Sequence, residues 1–163
     1  MLDAGLIDPR ALRNAFGRFA TGVTVVTMRD DEGRPTGVTV NSFSSLSLEP
    51  PLLLFSLGNA QVSRRWLKDG RHFAVNVLAA DQEQVAWQFA KPRDDKFEGV
   101  PSFPGERCDV PCIDGAIARF ECRHHASYPG GDHEIIVGEV LHLETAGGDP
   151  MLFYSGKMAR LAE

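Results

Sequence analysis

The sequence predicts a single α+β domain, mainly β and barrel-like, and three observations carry that expectation. Its 163 residues suit one domain of the usual ~100–150-residue size and bury roughly 70% of the unfolded surface on folding. Sixteen glycines and ten prolines supply more turns than an all-helical chain uses. About seven short β-branched or alternating segments, with three helical patterns among them, place most sequence neighbours side by side in a sheet.

In chain order, residues 8–21 read as a helix. Asp8 is the expected N-cap and Pro9 fits the first helical position. Leu12, Ala15, Phe16 and Phe19 recur on one face, which predicts a buried stripe. Residues 23–28 are short and β-branched, hence a strand. A polar turn over 30–35 joins them to a second strand over 37–43, making a hairpin. In that strand Val38 and Val40 share one face, Thr39 and Asn41 the other.

Pro50-Pro51 opens a third strand, 52–57, apolar on both faces and so expected to be buried. Gly58-Asn59 leads into a helix over about 60–69, with Gly70 as its C′ residue. Residues 73–78 are another strand. Asp81 reads as the cap of a helix running to Ala90, with Gln84 at the capping-box position. Residues 91–115 hold four prolines and little periodicity, so they read as a long loop of the functional kind. Residues 116–125 and 134–144 alternate as strands joined at Pro129-Gly130-Gly131-Asp132, and 151–154 is a last short strand. No repeat or linker divides the chain, so one domain spans 1–163, with its core over about 12–157.

Charge and composition narrow the function. Seventeen Lys and Arg against 22 Asp and Glu give a net charge of −5, unsuited to nucleic acid or an anionic membrane surface. No apolar run approaches the ~20 residues that span a bilayer. The opening Met1-Leu2-Asp3-Ala4-Gly5 has no basic segment followed by an apolar one, as a secretory leader would. Three cysteines are an odd number, which argues for a reducing compartment, the cytoplasm.

Several catalytic signatures are missing. There is no glycine-rich dinucleotide or phosphate loop and no nucleophile elbow. His133-Glu134-Ile135-Ile136-Val137 begins like a zinc-protease helix but lacks its second histidine. Cys108, Cys112, Cys122 and His124 carry soft-ligand chemistry, yet their irregular spacing reads as buried thiols and not as a structural zinc site.

Three segments remain. Residues 39–47, Thr-Val-Asn-Ser-Phe-Ser-Ser-Leu-Ser, concentrate hydroxyls and an amide that can hold a planar heterocycle's carbonyls or a phosphate without charge. Alternatively they are an ordinary polar strand end. Residues 56–65 enter a helix with Ser63, Arg64 and Arg65 near its start. An anionic ligand would rationalise those arginines, and a solvated face is the other reading. Gly131-Asp132-His133 puts a histidine, a neutral-pH donor, in a turn.

In this order these pieces resemble the short-chain flavin reductase family, which includes reductase partners of two-component flavin-dependent monooxygenases. The resemblance rests on Phe16-Gly17-Arg18-Phe19-Ala20-Thr21-Gly22-Val23-Thr24-Val25-Val26-Thr27 and on residues 37–45 with Pro50-Pro51. It continues through residues 73–78, Phe89-Ala90 with Asp95-Lys96-Phe97, and Gly131-Asp132-His133 followed by Gly138-Glu139-Val140. It covers about residues 12–157.

The resemblance implies an FMN-binding split β-barrel with Greek-key character and flanking helices, FMN or FAD as flavin, NADH or NADPH as donor, and a homodimer. It implies a separate oxygenase that receives reduced flavin. Val38, Thr39, Val40, Asn41 and Ser42 would line the isoalloxazine. Ser45, Ser47, Ser56, Leu57, Gly58, Ser63 and Arg64 would serve the ring edge, ribityl chain and phosphate. Phe89, Ala90 and Phe97 would close over the flavin. Asp132 and His133 would face the nicotinamide, His133 as the catalytic donor, with Tyr154 nearby.

Hydride transfer fits this inventory, because cofactors carry it and no nucleophile or carboxylate pair is needed. The protein stacks two rings within ~3–3.5 Å and stabilises negative charge as it develops. The competing readings are a non-catalytic flavin store or electron carrier on the same barrel, and an FMN-dependent oxidase of a small substrate.

Overall fold

A computed structural model describes residues 4–163; residues 1–3 of the opening segment lie outside it. After a 3₁₀ turn at Ala4–Leu6 come α1 (Pro9–Phe16), β1 (Thr21–Gly22), β2 (Thr24–Arg29) and β3 (Pro35–Val40). Next are β4 (Ser44–Leu48), β5 (Pro51–Gly58), a 3₁₀ segment at Val62–Trp66, β6 (His72–Val77) and α2 (Glu83–Ala90). The chain continues through β7 (Ser102–Pro104), β8 (Pro111–Ile113), β9 (Ala118–Gly130), β10 (His133–Thr145), β11 (Leu152–Tyr154) and β12 (Lys157–Ala159).

Seven strands form one antiparallel sheet in the order β3-β2-β6-β9-β10-β5-β4. The hairpins β2–β3, β4–β5 and β9–β10 are adjacent, as local turns dictate, while the connections from β3 to β4 and β5 to β6 cross the sheet. The sheet curls on itself. Val26, Val38, Leu53, Phe55, Phe73 and Ile136, from five of its strands, pack into one buried cluster, which a flat sheet could not bring together. At the seam, Ser42 just beyond β3 donates its hydroxyl to Ser56 O (3.1 Å) and accepts from Ser56 N (2.9 Å). This side-chain clasp stands where a ladder between β3 and β5 would close the barrel, so the barrel is split, as the resemblance implied.

A second cluster, including Val25, Leu78, Ala86, Phe89 and Ile113, seats α2 on the sheet. Gly37 permits that approach. A Cβ there would lie 2.8 Å from Val26 O and 3.0 Å from Phe89 Cδ1, closer than van der Waals contact allows.

Several expectations need correction. The first helix ends at Phe16 and not at residue 21, and its apolar stripe is not covered: Phe16 is 70% and Phe19 79% exposed. Helical periodicity names a face, and only packing supplies what covers it. Its N-cap is as expected, Asp8 accepting from Ala11 N at 3.1 Å. The second helix is five residues of 3₁₀ structure, although Gly70 does adopt the left-handed φ of 73°. Asp81 does not cap α2: Gln82 takes that position, and its side chain accepts from Ala79 N at 2.9 Å.

The serine-rich stretch, in which no separate strand is expected between 37–43 and 52–57, contains β4, which exists because β5 supplies its ladder; pairing overrides the weak strand preference of serine. Likewise the long 91–115 loop holds the β7–β8 hairpin. Strand β5 buries Leu53, Phe55 and Leu57 but only half-buries Leu52 and Leu54, so one face is covered and not two.

Cys108 and Cys112 pack with Ala74 and Val110 in a third cluster, and Cys122 in the first. All three are free thiols. Burial raises the Cys112 pKa to about 11 and pushes Cys122 higher still. No helix among the described residues is long and apolar enough to cross a membrane.

Candidate active site

Strand β3 is the terminal strand of the sheet, laddered on one side only, so its outer edge offers unpaired backbone donors and acceptors. That edge and the end of β5 form a cleft of about 220 Å³ at the seam. Val38, Thr39, Val40, Asn41, Ser42, Ser56, Leu57, Gly58 and His133 line it, joined by Gln61. Residues from three separate stretches of sequence thus meet at one place.

Most side-chain hydroxyls here are already bonded. Thr39 Oγ1 donates to Ala86 O at 2.6 Å, tying β3 to α2, and Ser42 clasps Ser56. Asn41 Nδ2 donates to Thr21 Oγ1 at 3.3 Å, leaving its carbonyl oxygen available. The cleft therefore meets a ligand largely through backbone groups, which are rigid because the side chains brace them.

His133 starts β10 directly after the turn. Gly131 takes φ 67° there, a conformation that costs glycine little. Its Nδ1 lies 2.7 Å from Asp132 Oδ1. A carboxylate only accepts, so Nδ1 carries the hydrogen and Nε2 is left for a ligand. This hydrogen bond holds the Asp132 carboxyl below its ordinary pKa. Gly58 lies beside this nitrogen: a Cβ there would be in ordinary van der Waals contact with Nε2 at 4.0 Å. Asn59 N donates to Asp132 O at 2.9 Å, which pins the histidine's turn to the end of β5.

The cleft continues into a groove of about 540 Å³ between β3, the 3₁₀ segment and residues 90–96; Val38 and Gln61 line both. Ser63 lies in this groove, only 7% exposed, and its Oγ has no hydrogen-bond partner. Ala90 and Lys96 line it as well. Lys96 Nζ donates to Phe89 O at 2.9 Å, and burial lowers its pKa. The groove thus pairs a masked cation with an orphaned hydroxyl, a donor set suited to a phosphate or a ribityl chain.

Other expected residues stand elsewhere. Phe89 does not face the groove: it is fully buried under β3, edge-on to Phe97 at 4.9 Å, so the two rings support the site from within the core. Arg64 is turned away, its guanidinium paired with Glu134 at 3.2 Å and with Asn59 O at 2.8 Å. Its charge is thereby neutralised, and the short 3₁₀ segment gives no helix dipole to recruit an anion. Ser45 and Ser47 lie on β4 opposite Leu53 and Leu52, outside the cleft lining. Tyr154 lies under Arg18, whose guanidinium sits 5.4 Å from its ring centroid, beside a different cavity. Sequence reasoning missed Gln61 and singled out Lys96 only as part of a motif. Neither has a composition signal, because curling of the sheet brings them to the groove.

The flavin reductase like domain model matches residues 16–162. The chain belongs to that family. It is 44% identical over 155 residues to the FMN reductase (NADH) SmoA of Agrobacterium fabrum, covering 95% of this chain and 87% of that protein. It is 43% identical over 147 residues to the reductase component of the flavin-dependent trigonelline monooxygenase of Acinetobacter baylyi, of whose length it spans 47%. The structure of the NADH:FAD oxidoreductase SgcE6 of Streptomyces globisporus with NAD and FAD fragments superposes with a TM-score of 0.90 at 43% identity, covering 96% of each chain.

Proposed function

We propose that the cleft at the seam of this flavin reductase holds the isoalloxazine ring, that the adjoining groove holds the ribityl phosphate, and that His133 faces the nicotinamide. The enzyme is an NAD(P)H:flavin oxidoreductase that supplies reduced flavin to a monooxygenase. One observation carries the site assignment: the buried, unpartnered Ser63 hydroxyl in a groove continuous with the backbone-lined cleft. Leaving such a group unbonded costs about 1–3 kcal/mol in an otherwise finished core, a cost that a ligand phosphate removes.

A bound flavin supplies the hydride acceptor. The chain contributes orientation and electrostatics. The outer edge of β3 presents backbone dipoles to the polar rim of the ring, preorganised because Thr39 and Ser42 are tied down. His133 Nε2 faces the donor, held by the Asp132 carboxylate so that the imidazole needs no reorientation. Lys96 and Ser63 anchor the phosphate. No residue is needed as nucleophile or proton relay for the transfer itself.

The partner is an oxygenase that takes up the reduced product. A homodimer is supported by the other sheet edge, β4, where Leu46 and Leu48 are exposed, Leu48 at 96%, beside an unpaired strand edge. The free thiols support a cytoplasmic setting.

The test is oxidation of NADH and NADPH with FMN, FAD and riboflavin as acceptors, followed by loss of nicotinamide absorbance. Turnover should exceed that with flavin omitted. For His133→Ala, kcat/KM for the nicotinamide should fall about tenfold or more while flavin affinity holds. An unchanged kcat/KM would remove His133 from the donor site.

A further inference from the structure

The loop between β7 and β8 closes over β9 and β10 and brings Glu106 to His142 and Glu144. A carboxylate oxygen of Glu106, an imidazole nitrogen of His142 and a carboxylate oxygen of Glu144 lie within 4.8 Å of one another. We propose that these three side chains bind a divalent metal ion of the zinc class, which cross-links the loop to β10. The site is separate from the flavin chemistry. His133 starts β10 and His142 lies near its other end, roughly 30 Å away along the strand.

Register is the first argument. β9 and β10 fall out of step between Val140, which pairs with Cys122, and His142, which pairs with Glu121. Strict alternation would put His142 on the face of Val140, which packs against the first core cluster. The bulge turns it to the other face, across from Glu121, with Glu144 following across from Arg119. Gly105 lets the loop come down on this face, since a Cβ there would overlap the Glu121 carboxylate.

Charge is the second. The Glu121 side chain is 4% exposed. Three backbone N–H groups satisfy its hydrogen bonding, but they are dipoles and supply no counter-charge. Among the described residues no Lys or Arg pairs with it, and its one ion-pair partner is His142 Nε2 at 3.9 Å. A buried carboxylate without a full counter-charge points to a cation beside it.

Geometry is the third. Zinc–ligand bonds of ~2.0–2.2 Å in a tetrahedron set neighbouring N and O ligands about 3.4 Å apart. His142 Nε2 and Glu144 Oε1 are 3.4 Å apart, long for a hydrogen bond. Glu106 is exposed, so turning its side chain closes the third side, and water takes the fourth place. The neighbours hold these ligands in position. Arg119, 4.6 Å over the Phe103 ring, bonds Glu144 Oε2 and leaves Oε1 to the ion. Glu121 Oε2 accepts from Glu106 N at 3.0 Å. An imidazole with two carboxylates and an open position suits zinc or a neighbouring first-row ion.

The test titrates the full chain, stripped with a chelator and dialysed, with zinc chloride in a calorimeter. A single zinc should bind per chain. At about a hundredfold excess over Kd the melting temperature should rise by about 5–10 °C. Glu106→Gln and His142→Ala should each weaken binding about tenfold or more. Glu106 is exposed, so the metal-free Glu106→Gln variant should melt as the wild type does, which separates lost binding from lost folding.

Cobalt(II) in place of zinc should give visible d–d bands with no sulfur charge-transfer band. Absence of binding by both calorimetry and melting overturns the proposal. So does an affinity unchanged in both variants, which would place the ion elsewhere. A cobalt spectrum with thiolate charge transfer overturns it as well, because the ion would then sit on cysteine and not on this cluster.

Discussion

Beneath the sheet, Asn76, Thr27 and Glu121 are as buried as Ser63 is in the groove, yet their hydrogen bonding is complete and that of Ser63 is not. Asn76 donates to Val25 O (2.9 Å) and Thr27 Oγ1 (3.0 Å) and accepts from Ile113 N (2.9 Å). Thr27 donates to Pro111 O at 2.5 Å. Glu121 accepts from the backbone N–H groups of Glu106, Arg107 and Cys108 at 3.0, 2.8 and 2.8 Å. These groups fasten the β7–β8 segment to the sheet. Equal burial with opposite satisfaction separates polar groups that hold the fold from one kept for a ligand.

The strongest way to break this comparison is at Glu121. Glu121→Ala leaves three N–H groups without their acceptor, so stability should fall by about 3–5 kcal/mol. The melting temperature should drop by about 10 °C or more. A melt within a degree or two of wild type would mean that the loop is held by other contacts and that burial says nothing about role.

A smaller, opposite-signed test sharpens it. Ser63→Ala removes a hydroxyl with no partner. The melting temperature of the ligand-free protein should stay level or rise slightly, while flavin dissociation constants from fluorescence quenching rise about 5–10-fold. Loss of stability without loss of affinity would reverse the assignment.

The smallest effect concerns the thiols beneath the same loop. Burial raises Cys112 from 9.0 to about 11. Its folded pKa lies above its unfolded one, so the native state holds the proton longer. The stability this contributes is fully present below pH ~9 and lost as pH climbs toward about 11. Denaturant titrations across that window should show a falling midpoint, and a Cys112→Ser variant should show a shallower fall. At neutral pH, thiol reagents should react slowly with the folded chain and release all three thiols on unfolding.

The residues that announced the site in sequence were those whose chemistry is local. Residues 38–42 and Gly131-Asp132-His133 stand out by composition and turn chemistry, and the structure places them at the seam cleft. Phe89 and Arg64 were read from the same kind of local signal, yet one is drawn into the core by Gly37 and the other is captured by Glu134. Gln61 has no local signal and becomes part of the lining because β3 and β5 are brought within reach of it.

By itself the sequence determined the longer strands β2, β3, β5, β6, β9 and β10, the β2–β3 hairpin, the Asp8 cap and the family. Each is encoded in a short window by side-chain alternation, turn residues and capping chemistry. Only the tertiary structure decided that the sheet curls to a seam clasped by Ser42, that the α1 stripe stays open beside a cavity, and that Ser63 is buried without a partner. Periodicity tells which face of an element is apolar. What that face meets depends on contacts between residues far apart in the chain, and no local window contains them.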